Sequence, residues 1–407
     1  MQTNLAEQFR QTADGCEAEA ILHACVHCGF CTATCPTYQL VGDELDGPRG
    51  RIYLMKMVLE GEAPSRKTQV HLDRCLTCRA CETTCPSGVR YGRLADIGRA
   101  AVDAQVKRPL VERAMRRALR AIVPYPKRFA LLYKLGRIAP QRLSGGMCKT
   151  SARAGASPWP ASQGLARTML VLNGCVQPVA APATNAAAAR VLAKLGIELL
   201  RPEGAGCCGA ISHHLTAPEE AKAFMRRNID AWWPHIEAGA EALVMTASGC
   251  GAMVREYGHL LRDDTDYAAK AARVSELTLD LSEVLARENL DAFAGIGNGR
   301  RIAWHPPCTL QHGQKVVGLA ERTLRTAGFD LVPVRDSHLC CGSAGTYSLL
   351  QKKLAEPLLR NKLDALQERS PEIIVTANIG CQLHLGSEAN VPVRHWAELL
   401  DDPNLVG

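Results

Sequence analysis

Eight cysteines near the N-terminus stand in two copies of one spacing. The first copy reads Cys25-Val-His-Cys28-Gly-Phe-Cys31-Thr-Ala-Thr-Cys35-Pro36, and the second Cys75-Leu-Thr-Cys78-Arg-Ala-Cys81-Glu-Thr-Thr-Cys85-Pro86. Both are C-x2-C-x2-C-x3-C-P, a run in which three thiolates of one short loop grip three irons of a cube and the fourth cysteine ligates the other cluster. The crossing predicts one [4Fe–4S] cluster on Cys25, Cys28, Cys31 and Cys85, and a second on Cys75, Cys78, Cys81 and Cys35. Zinc also takes C-x2-C pairs, but usually as two separated pairs rather than a triplet plus one, repeated twice. His27, inside the first loop, reads as a packed or solvent-facing residue rather than a ligand.

A second array occupies the C-terminal half. Cys175 is followed by Cys207-Cys208-Gly209, and Cys308, at the same separation, by Cys340-Cys341-Gly342. Cys250 and Cys381 close the two sets. The offset from Cys175 to Cys308 equals that from Cys207 to Cys340 and from Cys208 to Cys341, and Cys250 to Cys381 nearly matches it, which marks an internal repeat. Adjacent cysteines reach one metal group only through a tight turn, which the following glycine permits. Each set of four thiols suits a tetrahedral zinc or an iron–sulfur cluster. The ferredoxin-type half favours the cluster, with zinc or unmetallated redox thiols as the alternatives.

The elements around these cysteines repeat as well. In the first copy, 168–173 and 197–200 read as strands, 185–195 and 219–233 as helices, and 242–248 as a strand ending in Gly249-Cys250. In the second, the strands are 301–304, 330–334 and 373–378, the last followed by Gly380-Cys381, and the helices 314–327 and 349–368. Such alternation predicts α/β units with mostly parallel strands, whose ligands converge from loops at the strands' carboxyl ends. The N-terminal part is helical in pattern: 51–60 has good helix formers with Gly61 as a stop, and Tyr91 opens another helix.

The fold class is therefore α plus α/β: an α-helical ferredoxin domain at 1–105, a basic helical linker at 106–164, and duplicated α/β Cys-Cys-Gly domains at 165–297 and 298–407. A chain of 407 residues is long enough for several cores. Its hydrophobic fraction of 47% and charged fraction of 22% are those of a globular protein. The net charge of +7 is a mild excess that does not point to nucleic acid. It is concentrated: from Lys107 to Arg142 there are eleven Lys/Arg against one acid, Glu112, so this stretch carries about +10 and the remainder about −3.

Such a basic face suits an acidic partner or anionic headgroups, and within it 111–123 has an amphipathic pattern. Ser151 to Gln163 reads as a linker, and Cys148 beside it as an incidental thiol. No run approaches the ~18–20 apolar residues of a membrane span, and Met1–Arg10 lacks a signal-peptide pattern. A cytoplasmic protein, at most peripheral to the inner face of the cell membrane, is expected. In a reducing compartment clustered cysteines mean metal or redox chemistry rather than disulfides.

The combination of a two-cluster ferredoxin with paired Cys-Cys-Gly domains resembles the heterodisulfide-reductase-type iron–sulfur subunits, which serve anaerobic glycerol-3-phosphate dehydrogenase, lactate utilisation and glycolate oxidase. The strings ACVHCGFCTATCPTYQLVGDELDGPRGRIYL (24–54), LDRCLTCRACETTCPSGVRYG (72–92), NIDAWW (228–233), TASGCGA (246–252), DSHLCCGSAGTY (336–347) and TANIGCQLH (376–384) are similar to the glycolate oxidase branch. The resemblance implies an electron-transfer role in a complex with FAD-binding glycolate oxidase subunits that turn glycolate into glyoxylate, with electrons passing on to a quinone or similar acceptor. It implies no catalytic residue and no flavin on this chain.

One departure is informative: where heterodisulfide reductase has a fifth cysteine in its last motif, this chain has Met253 and His384. An unusual noncubane cluster is therefore not expected. His384 is a candidate extra ligand or proton donor, and His305, His312 and His338 also lie near the second set. Lys56, Arg51, Arg74, Arg79 and Arg90 are candidates for raising a cluster potential by stabilising its reduced form. A catalytic disulfide or quinone reductase, or a zinc-filled assembly scaffold, are the competing functions.

Overall fold

The computed structural model describes residues 1–138 and 158–405, so Cys148 and 151–157 of the expected linker lie outside the described residues. The chain divides into two compact units: Met1–Arg117 with His338–Arg360, and Ala118–Ser337 with Asn361–Gly407.

The first unit contains no strand among its described residues. Its core is made by the helices Ala13–Ala24, Pro48–Leu59, Arg66–Asp73 and Tyr91–Gln105, which bury Ile21, Leu22, Ile52, Met55, Leu59, Leu72 and Leu94 together. Each such side chain contributes about 1.5–3 kcal/mol on leaving water. Local signals set the helix ends. Pro48 begins its helix at the position where a missing N–H costs nothing, and Ser65 with Thr68 forms a capping box. The helix Leu110–Ile122 buries no residue. Ion pairs hold the stretch just before it and its middle: Arg108 meets Asp73 at 2.6 Å and Asp103 at 2.6 Å, and Arg116 meets Asp73 at 3.1 Å.

The second unit holds two parallel four-stranded sheets of identical topology. The strands are β1 Arg167–Val171, β2 Ile197–Leu200, β3 Leu243–Met245, β4 Thr278–Asp280, β5 Arg301–His305, β6 Asp330–Leu331, β7 Ile373–Thr376 and β8 Val393–His395. Their orders are β2-β1-β3-β4 and β6-β5-β7-β8. The registers correspond too: Leu170 pairs with Leu243, as Ile302 pairs with Ile373. Two-faced burial explains the near-continuous apolar runs of β1, β3 and β7.

The two copies share one core, in which Val171, Val191, Leu192 and Val244 of the first pack with Trp304, Leu324, Val375 and Trp396 of the second. The joint is symmetric in kind. The helix Ala183–Ala193 of copy one meets the helix Trp396–Asp401 of copy two, with Thr184 donating to Glu398 at 2.6 Å and Arg190 donating to Asp401 at 2.9 Å. The helix Leu281–Leu285 meets Leu319–Thr326 in the equivalent way.

Several elements differ from the sequence expectations. β4 and β8 were not anticipated. The strand expected at 330–334 pairs only at Asp330–Leu331, because Pro333 has no N–H to extend the ladder. The helix expected from 314 begins at Leu319, after a wide turn at Thr309–Gly313 and left-handed residues at Lys315 and Gly318.

Candidate metal centres

The two N-terminal cysteine loops have the same backbone. In the first, His27 and Gly29 take φ of +58° and +87°; in the second, the matching Thr77 and Arg79 take +53° and +61°. Alternating left-handed residues coil each loop tightly, which is what three thiols two residues apart need to face one centre. In the second loop the Thr77 N–H donates to the Cys75 sulfur at 3.4 Å. Pro36 then opens a new helix and takes the chain away.

The first loop lines a cleft of about 440 Å³, part of it open to solvent, with Cys25, Cys28, Cys31 and the distant Cys85 on its wall, together with Cys81. The lining brings Cys85 of the second copy, and Cys81 with it, beside the cysteines of the first. Cys28 is exposed, and Val26 (67%) and Phe30 (60%) beside it are exposed apolar groups. Burial, followed by the charges of Cys25, Cys28 and Cys35, pushes the Cys31 thiol up to about 11. His27 sets its ring edge against Tyr53 at 6.4 Å.

The second loop exposes none of its cysteines; Cys75 and Cys78 are half-buried and Cys81 is buried. Burial pushes the Cys81 thiol well up, and the charges of Cys78, Cys75 and Cys35 add to it. Cys75 moves the other way. Burial pushes it up, but Arg51, Arg99, the Thr77 N–H and the Tyr91 hydroxyl outweigh that and hold it below the ordinary thiol value. Tyr91 donates to the Cys75 sulfur at 3.6 Å.

Arg51 is 1% exposed. It donates to the His71 carbonyl at 2.7 Å and to Thr37 Oγ1 at 3.1 Å, and it meets Asp46 at 3.4 Å. Thr37 Oγ1 lies 3.3 Å from the Cys35 sulfur. Of the other cations named from sequence, Arg74 meets Asp46, Arg79 meets Glu82, Arg90 meets Glu17 and Lys56 meets Glu60. Arg99 was missed. It sits behind the loop, donating to the Cys75 carbonyl at 2.7 Å and to Thr77 at 2.8 Å. No periodic or motif signal sets it apart from Arg93, the other arginine of its helix.

In the second unit, Cys175, Cys207, Cys208 and Cys250 form a chain of thiol contacts. The hydrogen bond with Cys207, then burial, pushes Cys175 up, and donation from Cys175 and Cys208 pulls Cys207 down. The contacts of Cys208 with Cys207 and Cys250, then burial, push it up. Gly209, at φ +88°, makes the turn, and its N–H donates to the Cys207 sulfur at 3.5 Å. A Cβ there would lie 3.0 Å from the Ala221 carbonyl oxygen.

Two wholly buried side chains hold this Cys-Cys turn. Asn228 donates to the Cys207 carbonyl at 2.9 Å and accepts from the Gly206 N–H at 2.8 Å. Tyr257 donates to the Cys208 carbonyl at 2.9 Å. The sequence reading gave neither residue a role, although Asn228 stands in the quoted NIDAWW string. Gln177, Asn185 and Thr246 form a further buried polar set with contacts of 2.6–2.7 Å.

The second Cys-Cys turn, in the first unit, has the same geometry. Gly342 takes φ +88°, its N–H donates to the Cys340 sulfur at 3.4 Å, and an added Cβ would lie 2.8 Å from the Ala355 carbonyl oxygen. Cys340 and Cys341 are buried. Cys308 and Cys381 are buried members of the second unit, and the Asn378 amide donates to the Cys381 sulfur at 3.5 Å. His384 follows one turn later on the helix Ile379–Gly386. A ring nitrogen of His305 comes within 4.8 Å of the Cys381 sulfur, and burial, with the charges of Lys362 and His384, holds that imidazole well below its ordinary pKa.

No disulfide occurs among the described residues. Clustered thiols met by backbone N–H groups and a tyrosine hydroxyl fit iron–sulfur ligation.

These features define a protein with a dicluster ferredoxin and a duplicated cysteine-rich domain. Comparison with known proteins agrees: residues 21–89 match the family model described as a 4Fe-4S dicluster domain, and 169–255 and 302–386 each match the cysteine-rich domain. The chain is 56% identical over 405 residues to the glycolate oxidase iron-sulfur subunit of Escherichia coli strain K12, covering 98% of each chain. It is 29% identical to the probable glycolate oxidase iron-sulfur subunit of Bacillus subtilis, over 97% of this chain and 96% of that one. Lactate utilization protein A of Bacillus subtilis is 27% identical over 53% of this chain and 91% of its own. The chain belongs to the glycolate oxidase iron–sulfur subunit family.

Proposed function

We propose that this chain is the electron-transfer subunit of a glycolate-oxidising complex, carrying electrons from FAD-binding partner subunits toward a quinone-type acceptor. In this reading Cys25, Cys28, Cys31 and Cys85 hold one [4Fe–4S] cluster, and Cys75, Cys78, Cys81 and Cys35 the other. A bound cluster takes up and releases one electron at a time. The chain's residues supply its surroundings: thiolate ligands, N–H groups aimed at sulfur, and cations behind the second loop. The observation that carries the reading is the cleft lined by Cys25, Cys28, Cys31 and Cys85, whose exposed Cys28 and apolar rim suit a redox partner. The chain contributes no catalytic residue in this reading; glycolate oxidation belongs to the partner.

Cys175, Cys207, Cys208 and Cys250 would hold a further iron–sulfur group or zinc, and the internal repeat gives Cys308, Cys340, Cys341 and Cys381 the same part, with His384 a candidate neighbour. No helix among the described residues is long and apolar enough to cross a membrane. The helix Pro126–Ile138 exposes Leu131, Leu132 and Leu135 beside Lys127, Arg128 and Lys134, a mixture suited to lying on an anionic membrane surface from the cytoplasmic side.

The test is anaerobic co-purification with the flavoprotein subunits, followed by glycolate addition. Reduction of the cluster signals by glycolate, lost when the flavoprotein is omitted, supports the reading. Reduction by lactate alone would reassign the substrate, and turnover of a disulfide or quinone by the isolated chain with an artificial reductant would make it a reductase.

A further inference from the structure

Tyr347 ends the DSHLCCGSAGTY string and is not among the proposed ligands. It lies five residues beyond Gly342, in the segment His338–Arg360 that is one compact unit with Met1–Arg117. Its ring is 7% exposed, and its hydroxyl donates to the Arg74 carbonyl at 3.0 Å. That carbonyl carbon is bonded to the nitrogen of Cys75. At its other end the tyrosine is tied to the Cys-Cys turn: its N–H donates to Ala344 O at 3.1 Å, Ser348 N–H donates to Ser343 O at 3.2 Å, and Gly342 N–H donates to the Cys340 sulfur at 3.4 Å. Burial, then the charge of Cys75, pushes the Tyr347 pKa up, with Arg51 opposing and Cys340 adding a smaller part.

The first repeat is built differently at this point. Carrying the offset between Cys340 and Cys207 over to Tyr347 leads to His214 as the matching position. There Gly209 leads straight into the helix Ala210–His214, whereas after Gly342 the chain stays irregular, with Ala344 and Gly345 at φ +36° and +64°, until Tyr347 opens the next turn of helix. That irregular stretch lets the aromatic ring reach the Cys75 loop.

We propose that Tyr347 is the electron-coupling residue between the group bound at Cys75 and the group bound at Cys340, making the second Cys-Cys-Gly turn the one that exchanges electrons directly with the ferredoxin loops. The proposal rests on reading both cysteine sets as ligands of iron–sulfur groups. With [4Fe–4S] held at Cys75 and an iron–sulfur group held at Cys340, Tyr347 would carry one electron from the first, which is oxidised, to the second, which is reduced. No bond is made or broken, and no proton moves. Electron transfer falls steeply with separation and favours a continuous bonded path over a gap. Tyr347 supplies such a path: a covalent, internally hydrogen-bonded turn at one end, and at the other a hydrogen bond onto the peptide group of Cys75.

The test is flash photoreduction of the anaerobic full-length chain, with freeze-quenched electron paramagnetic resonance following each signal. Iron per chain and the midpoint potentials are measured alongside. Tyr347→Leu is expected to slow equilibration between the ferredoxin and second-repeat signals by about tenfold or more, and Tyr347→Phe, which keeps the ring but loses the Arg74 bond, by a smaller factor. Iron content and midpoints stay at wild-type values, and His214→Leu leaves the rate unchanged. Wild-type equilibration in fully loaded Tyr347→Leu would overturn the proposal. So would iron confined to the ferredoxin half; the metal count then shows that the ligand reading failed rather than the route.

Discussion

The two cysteine loops of the first unit share a spacing and a backbone but not an environment. The first opens on a solvent-facing cleft with Cys28, Val26 and Phe30 exposed. The second is closed in by Arg51, Arg99 and Tyr91, which lower the pKa of Cys75 against its own burial. Cations and donors that favour a thiolate also favour the extra negative charge of a reduced cluster. The comparison teaches that ligand spacing sets which cluster forms, while the residues behind the loop set how readily it accepts an electron. Under the proposed function the first loop is the entry point, and the second is the site where an arriving electron is more stable.

The largest expected effect comes from removing the charge that separates the loops. Arg51→Leu takes the buried arginine from Asp46, which is 0% exposed and keeps the half-buried Arg74 and His71. Breaking such a pair costs about 3–5 kcal/mol, measurable by anaerobic denaturant titration. Arg51→Lys keeps the charge and separates folding from tuning. It should still fold, and any shift in midpoint potential should fall on the second cluster. A shift confined to the first cluster would break the comparison.

Next come the ligands. Cys28→Ser and Cys78→Ser should each remove one reduced-cluster signal and roughly four irons, leaving the other signal in place. Loss of both signals from either variant would mean that the two sites assemble as one.

A smaller effect is expected at Tyr91. Tyr91→Phe deletes the hydroxyl that donates to Cys75. A hydrogen bond contributing about 1 kcal/mol corresponds to roughly 40 mV for one electron, so the second midpoint should fall by that order while the first stays put. The smallest effect concerns the shared backbone. His27→Gly relieves a left-handed residue at φ +58° and should stabilise the first loop by up to about 1 kcal/mol, read as slower cluster loss on exposure to chelator.

The cysteine loops, the duplication and the parallel α/β character were legible in the sequence because each leaves a local signature: fixed cysteine offsets, apolar runs, and glycine after Cys-Cys. The strands β4 and β8 were not. They are short, and both carry polar side chains among the apolar ones, so no periodic signal can build up. The surroundings of the cysteines were only partly legible. Arg51 was named among five cations, but only folding turns Lys56, Arg79 and Arg90 toward carboxylates and Arg51 toward the second loop. Arg99, Asn228 and Tyr257 act through carbonyl groups that the chain brings to them from 21 to 49 residues away. Sequence spacing carries no trace of such contacts.

The central claim is that this chain carries two [4Fe–4S] clusters made unequal by what lies behind them. A redox titration of the anaerobically purified full-length chain, followed by electron paramagnetic resonance, tests it most directly. The account predicts two one-electron [4Fe–4S] signals from the ferredoxin loops with separate midpoints, the higher one surviving in Cys28→Ser. A single signal, or a higher midpoint that disappears with Cys28, would contradict it.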